Sequence, residues 1–275
     1  EITDLGGNDH VVLYNMGNGV NQNISFLELG QPLGVIKGYK TSIYRSWDEV
    51  YADDAVWVED PLNIQTRPGM IKYIDQNGDG VIDDQDKVVL GQALPNVMGG
   101  FTNTFNYKNW SLTVFFNYAL GGKIINTNVT KLDLYQAGNN NAYADGLDAW
   151  RPANPITGDQ GWMGGSKPLP SSQQSPSTAR LYTQNVIDRW IEDGSYLRLK
   201  TLSLTYTVPE KISRKIGMQR LMISLKGTNL WTWTKYRGFD PEMSSSVGTS
   251  NSTLGIDRSS YPASKSFTFN VNITF

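Results

Sequence analysis

From residue 97 onward, apolar and polar positions alternate with a period of two. In Ser266–Phe275 every odd position is apolar and every even one is Ser, Thr or Asn, the signature of a strand with one apolar and one wet face. The same rhythm places Trp110, Leu112, Val114, Phe116 and Tyr118 against Ser111, Thr113 and Asn117, and Leu221, Ile223, Leu225 and Gly227 against Ser224, Lys226 and Thr228. Between 195 and 207 the alternation is less clean, with Arg198 and Lys200 on one side near the start. That reads as a strand entering from a charged, solvated rim, the other reading being that Arg198 and Lys200 pair with acids of the loops. The predicted strands are 98–107, 110–119, 195–207, 220–231 and 266–275.

Their connections alternate in length. Lys108-Asn109 and 209–219 are short, whereas 120–194 and 234–264 are long and rich in Asn, Gly, Ser and Pro. Ten-residue amphipathic antiparallel strands with short turns on one side and long loops on the other predict an all-β fold, part of a transmembrane β-barrel; strands of soluble sandwiches are shorter. If the last strand ends on the periplasmic side, counting back turns the long loops outward. Trp110, Tyr107, Trp231 and Trp233 then fall near strand ends, at headgroup depth. Five strands cannot close a large barrel, so they are expected to be part of a larger wall.

The first 66 residues differ. Short β-like runs, His10–Tyr14 and Gly34–Lys40, are separated by Gly- and Asn-rich punctuation such as Gly17-Asn18-Gly19. His10 is the sole histidine and lacks a partner for metal or triad chemistry, so it is read as structural. Pro68-Gly69 then leads into Asp75-Gln76-Asn77-Gly78-Asp79-Gly80-Val81-Ile82-Asp83-Asp84-Gln85-Asp86. Oxygen-bearing side chains recur there at positions one, three, five, nine and twelve, the spacing of an EF-hand calcium loop, with Gly80 at the bend and Val81 offering a carbonyl. The expected ligands are Asp75, Asn77, Asp79, the Val81 carbonyl, Asp83 and Asp86, with Asp84 turned to solvent. Asp86 stands where the pattern has a bidentate Glu, which leaves magnesium open beside calcium. A fully ligated ion has no free position for chemistry, so its role would be to stiffen the loop. The chain is therefore expected to divide into an extracellular loop and short-strand region with the outward-facing calcium loop (1–96, loop at 75–86) and the C-terminal transmembrane strands of the barrel (97–275).

Composition narrows the functions. Only 18 % of residues are charged, and the 8 Trp, 14 Tyr and 9 Phe favour β structure with long polar loops. A net charge of -2 offers no footprint for nucleic acid. With no cysteine there is neither a disulfide framework nor a thiolate site. No apolar run approaches the ~18 residues of a membrane-spanning helix, and Glu1-Ile2-Thr3-Asp4 does not begin a signal peptide.

Several ordered motifs go further: Gly30-Gln31-Pro32-Leu33-Gly34 with Gly38-Tyr39-Lys40, Pro68-Gly69-Met70-Ile71-Lys72-Tyr73 before the calcium loop, and Asp193-Gly194-Ser195-Tyr196-Leu197-Arg198-Leu199-Lys200. Leu204-Thr205-Tyr206 with Pro209, Gly227-Thr228-Asn229-Leu230, Gly238-Phe239-Asp240-Pro241-Glu242 and the Phe-terminated strand follow. In these the chain resembles the C-terminal part of the SusC/RagA family of TonB-dependent outer-membrane transporters of Bacteroidetes. The resemblance implies a 22-stranded barrel in the outer membrane with an N-terminal plug, both largely outside these residues. It also implies a SusD-like surface lipoprotein as lid, TonB as the energy source, and oligosaccharides or peptides as cargo. The competing reading is a soluble, calcium-stabilised β module binding carbohydrate, with Trp150, Trp162 and Trp233 as exposed stacking platforms. Catalysis is not expected: the neighbouring acids Asp240 and Glu242, or Asp83 and Asp84, are not thereby spaced across a cleft.

Overall fold

The computed structural model describes residues 2–8, 10–15, 23–57, 67–132, 144–151, 161, 162, 164–169, 186–242, 255–257 and 261–275. The turn at Gly17-Asn18-Gly19 and much of the loops 120–194 and 234–264 lie outside the described residues. The chain divides into two compact units, Glu1–Leu94 with Lys123–Glu192 and Ser244–Ser259, and Pro95–Gly122 with Asp193–Met243 and Ser260–Phe275.

The second unit is built on one antiparallel sheet of five strands: β1 (Val97–Tyr107), β2 (Trp110–Leu120), β3 (Tyr196–Thr207), β4 (Arg220–Thr234) and β5 (Ser266–Thr274). They run β5-β4-β3-β2-β1 across the sheet, so each pairs with its sequence neighbour. Lys108, at φ 51, makes the two-residue turn between β1 and β2. Residues 208–219 join β3 to β4 through two short helical turns, closed by Gly217 at φ 77. Both connections lie at the same end of the sheet, where Trp110 faces Tyr206. Thr274 ends there too, its carbonyl accepting from the Gln219 N–H at 2.8 Å.

The broken rhythm in β3 has a structural cause. Phe115 faces Thr201 but Phe116 faces Leu199, which leaves Lys200 as an extra residue, a β-bulge. The bulge reverses the phase of the strand, so Leu197 and Leu199 share a face with Leu202, Leu204 and Tyr206 although their parity differs. With that correction one face of the sheet is apolar apart from Asn103, which sits beside Val114. Across it run rows such as Phe105–Leu112–Leu204–Leu225–Phe269. Most of these side chains are exposed, with Phe105 at 61 %, Leu225 at 53 % and Phe269 at 66 %, while Leu112 is half-buried. The opposite face carries Thr102, Thr104, Ser111, Thr113, Ser203, Thr205, Ser224, Lys226, Asn270 and Asn272.

Aromatic rings border the apolar face at both ends. Trp110 packs on Tyr206 at the short-turn end, ring centres 4.6 Å apart, with Tyr107 beside Trp110 in the register. At the other end Phe101 lies 4.9 Å from Phe116, Phe116 6.3 Å from Trp233, and Trp233 6.1 Å from Trp231. The rows through Trp110 and Tyr118 are eight residues apart. That is ~27 Å along a strand, and ~20 Å of depth at the ~40° tilt of transmembrane barrel strands.

The first unit has a conventional interior. A four-stranded sheet of His10–Asn15, Asn23–Glu28, Val35–Gly38 and Val88–Gln92 is joined by smaller sheets. Ile36, Ile125, Ile187, Trp190 and Ile256 centre its main core. Ile43, Tyr44, Met70, Trp150 and Leu169 form another. Gly38 is required by a close approach, because a Cβ there would lie 2.4 Å from the Val186 carbonyl oxygen. Trp150 is only 3 % exposed. Its expected place as a stacking platform is thereby corrected: packing against Met70 and Leu169 outweighs exposure. Trp162 and Trp233 do remain exposed.

Candidate functional site

The Asp75–Asp86 loop is shaped by its own acids. Asp75 accepts from the N–H groups of Gly78 and Gly80 at 2.6 and 2.8 Å, Asn77 from Asp79 N–H at 3.0 Å, and Asp79 from Val81 N–H at 2.8 Å. Gly78 and Gly80 take the left-handed conformation, φ 77 and φ 80, which a side chain disfavours. Val81 and Ile82 pair in parallel with Val56 and Trp57, and Ile82 is buried in the core. Asp83 caps the helical turn Asp84–Asp86, and Asp86 reciprocates by accepting from Asp83 N–H at 2.8 Å. Asp86 also accepts from Gln76 N–H at 2.8 Å, tying the loop's two ends together.

The electrostatics follow from this geometry. The bond from Gly80 N–H leads a set that holds the Asp75 carboxyl below the usual carboxylate range, assisted by Gly78 and by the adjoining Asp86 carboxyl. Asp86 is fully buried. Among the described residues its carboxylate meets backbone N–H groups and no cationic side chain. Asp84 is different, 85 % exposed and paired with Lys87 at 2.7 Å. The donor set of the loop, carboxylates with one amide and one carbonyl, is all oxygen and suits a hard cation. Among the described residues no three acidic side chains have converged into a ready coordination shell. Asn77 Nδ2 instead donates to Asp79 Oδ2 at 2.9 Å.

A second charged constellation lies on the wet face of the sheet. Arg198, opposite Asn117 in the register and 2 % exposed, bonds Asp240, and donates to Glu242 at 2.8 Å. Lys200, the bulge residue, reaches Glu242 at 2.9 Å, and Asn117 donates to Glu242 at 3.2 Å. The solvated rim expected for Arg198 and Lys200 is corrected accordingly: segment 238–242 folds onto β3 and buries Arg198. Burial pushes the Asp240 carboxyl up, but bonds from Arg198 and from the N–H groups of Glu242 and Ala263 outweigh it and hold the carboxyl below its usual range. Asp240 and Glu242 both grip the same guanidinium instead of facing each other across a cleft. Beside them opens a cavity of about 440 Å³, lined in part by Arg198, Asn229, Thr232, Phe239 and Lys265. The signal for this network was the pairing of two basic residues in one strand with the acids of Gly238-Phe239-Asp240-Pro241-Glu242, but sequence spacing does not say that they meet.

No protein-family model matches the chain. TonB-dependent receptor P26 of Formosa agariphila is 33 % identical over 281 residues, covering 100 % of this chain and 26 % of the receptor. TonB-dependent receptor P3 of the same organism is 30 % identical over 263 residues, 94 % of this chain and 24 % of the receptor. TonB-dependent receptor SusC of Bacteroides thetaiotaomicron is 23 % identical over 86 % of this chain and 20 % of its own length. A solved structure of the RagAB peptide transporter superposes with a TM-score of 0.67 at 22 % identity, covering 100 % of this chain and 26 % of that one. The chain thus spans about a quarter of the length of the curated relatives P26 and P3.

Proposed function

The chain belongs with the TonB-dependent receptors over the stretch it shares with them, and on that premise we propose that it forms wall strands and outward loops of an importer in the bacterial outer membrane. The observation that carries this reading is the five-stranded sheet with one apolar face, broken only by Asn103 and largely accessible, bordered by aromatic rows and backed by a mostly polar opposite face. Such a sheet suits lipid on one side and an aqueous lumen on the other. Segment 238–242, pinned by Arg198, contributes to the side where cargo enters, and TonB supplies the energy. Oligosaccharides or peptides are the cargo, delivered under a SusD-like surface lipoprotein; the structural neighbour RagAB is a peptide transporter. The Asp75–Asp86 loop serves as a calcium clamp, magnesium being the other candidate ion. Asp75, Asn77, Asp79, the Val81 carbonyl, Asp83 and Asp86 would hold the ion, which would supply structural rigidity.

The exposed apolar face counts against a detergent-free, calcium-stabilised carbohydrate module, which would expose that face to water. The test is uptake. Deleting the gene and restoring it should abolish and recover growth on an oligosaccharide or peptide mixture as sole nutrient, and pull-down from outer membranes should recover a surface lipoprotein. A protein found soluble and monomeric in the periplasm would overturn the reading.

A further inference from the structure

The first unit contains a cleft that the transport reading does not use, and we propose that it is an oxyanion site, taking a carboxylate, sulfate or phosphate group on Arg45 and Arg189. The cleft, about 540 Å³, is lined by Arg45, Lys72 and Arg189 against one carboxylate, Glu49, with Ser42 and Ser166 also in its wall. Positive charge therefore dominates the lining. Two of the four charges are already committed. Glu49 accepts from the backbone N–H of Arg45 at 2.6 Å, and Lys72 pairs with Asp53 at 3.0 Å.

The two guanidinium groups are not committed in that way. Arg45 donates from Nη1 to the Gly165 carbonyl at 2.7 Å, and Arg189 from Nη2 to the Ser166 carbonyl at 3.4 Å. Adjacent carbonyls of one turn thus contact both side chains without neutralising either. Arg189 Nε is buried and has no hydrogen-bond partner among the described residues. A guanidinium has five N–H donors in a planar fork, which matches the paired oxygens of an oxyanion.

The turn that carries these carbonyls is itself fixed. A Cβ on Gly165 would lie 2.2 Å from the Asp148 carbonyl oxygen, so the approach requires glycine. Asp148 accepts from the Ser166 hydroxyl and N–H at 2.5 and 2.9 Å and from Trp162 Nε1 at 3.1 Å. The Ser166 hydroxyl leads these bonds in holding the Asp148 carboxyl below its usual range. Asp148 stays an anion engaged with the turn. Asp188, next in sequence to Arg189, accepts from the Thr41 hydroxyl at 2.6 Å and N–H at 3.3 Å. The nearby acids are thus occupied elsewhere, and an oxyanion supplies the charge and fork geometry that the arginines lack. The site does not depend on whether the chain works in an importer.

The protein as its gene encodes it, purified from outer membranes in detergent, is dialysed to equilibrium against radiolabelled sulfate, phosphate or acetate at constant ionic strength. Saturable binding of at least one of the three is expected, and the anion bound most tightly identifies the source of the group. An Arg45→Gln/Arg189→Gln double variant should weaken it by about tenfold or more, while Lys226→Gln on the sheet leaves it unchanged. Should the double variant fail to fold, Arg45→Lys/Arg189→Lys keeps the charge but removes the fork, and a clear loss is again required. Absence of saturable binding for all three anions, or binding that the arginine changes leave intact, overturns the proposal.

Discussion

Replacing Leu202 with arginine tests the assignment of faces where sequence parity misleads. Leu202 faces Val114 and Gly227 on the neighbouring strands. On β2, Val114 is four residues from Trp110 and four from Tyr118. Each separation is ~13 Å along the strand, or ~10 Å in depth at a tilt of ~40°. Leu202 therefore sits midway between the two aromatic borders, near the centre of the apolar band. Arginine at the midplane of a barrel wall costs about 2–4 kcal/mol, a shift of about 30- to 900-fold in the ratio of folded to unfolded protein. Leu197→Arg, level with Tyr118 and Trp233, should cost about 0–1 kcal/mol. Ser203→Arg, one residue along on the wet face, should stay within about 0.5 kcal/mol. Guanidinium unfolding in phospholipid vesicles, followed by tryptophan fluorescence, reads all three. Equal losses at Leu202 and Ser203 would refute the face assignment, and a loss at Leu197 as large as at Leu202 would refute the depth.

Arg198→Met leaves the buried Asp240 without its cation and should destabilise the protein by about 3–5 kcal/mol, with hydrogen exchange in 238–242 rising most. Because the Asp240 carboxyl is depressed in the folded state, the stability it contributes is present above the unfolded value of about 3.9 and is lost as pH falls through the lower folded value. Exchange in that segment should therefore rise only below about pH 4. Calcium at about 100 times its Kd should stabilise the protein by about 2.7 kcal/mol and slow exchange across 75–86. Asp79→Ala should remove that response, and a wild-type loop indifferent to saturating calcium and magnesium would dismiss the metal assignment. Gly38→Ala, which would push a Cβ against the Val186 carbonyl, should cost about 1–3 kcal/mol in thermal unfolding, whereas Gly164→Ala, whose Cβ would meet Trp162 at an ordinary 3.6 Å, should cost far less.

By itself the sequence determined the five wall strands, their order and the end at which the short turns lie. Side chains two apart on a strand share a face wherever pairing is regular, and ten-residue amphipathic runs with unequal connections leave few other arrangements. It also marked the residues of the Asp75–Asp86 loop, because a loop that folds on its own acids writes its spacing locally. The phase reversal at Lys200 was different: a bulge exists only relative to the partner strand, so Leu199 and Leu202 reveal their common face through Phe116 and Val114. Tertiary structure likewise decided that Arg198 meets Asp240 and Glu242 across more than forty residues, that Trp150 enters a core, and that Arg45 and Arg189 reach one turn at Gly165 and Ser166. Those meetings depend on where long connections return, and the local periodicity of a chain carries no record of that.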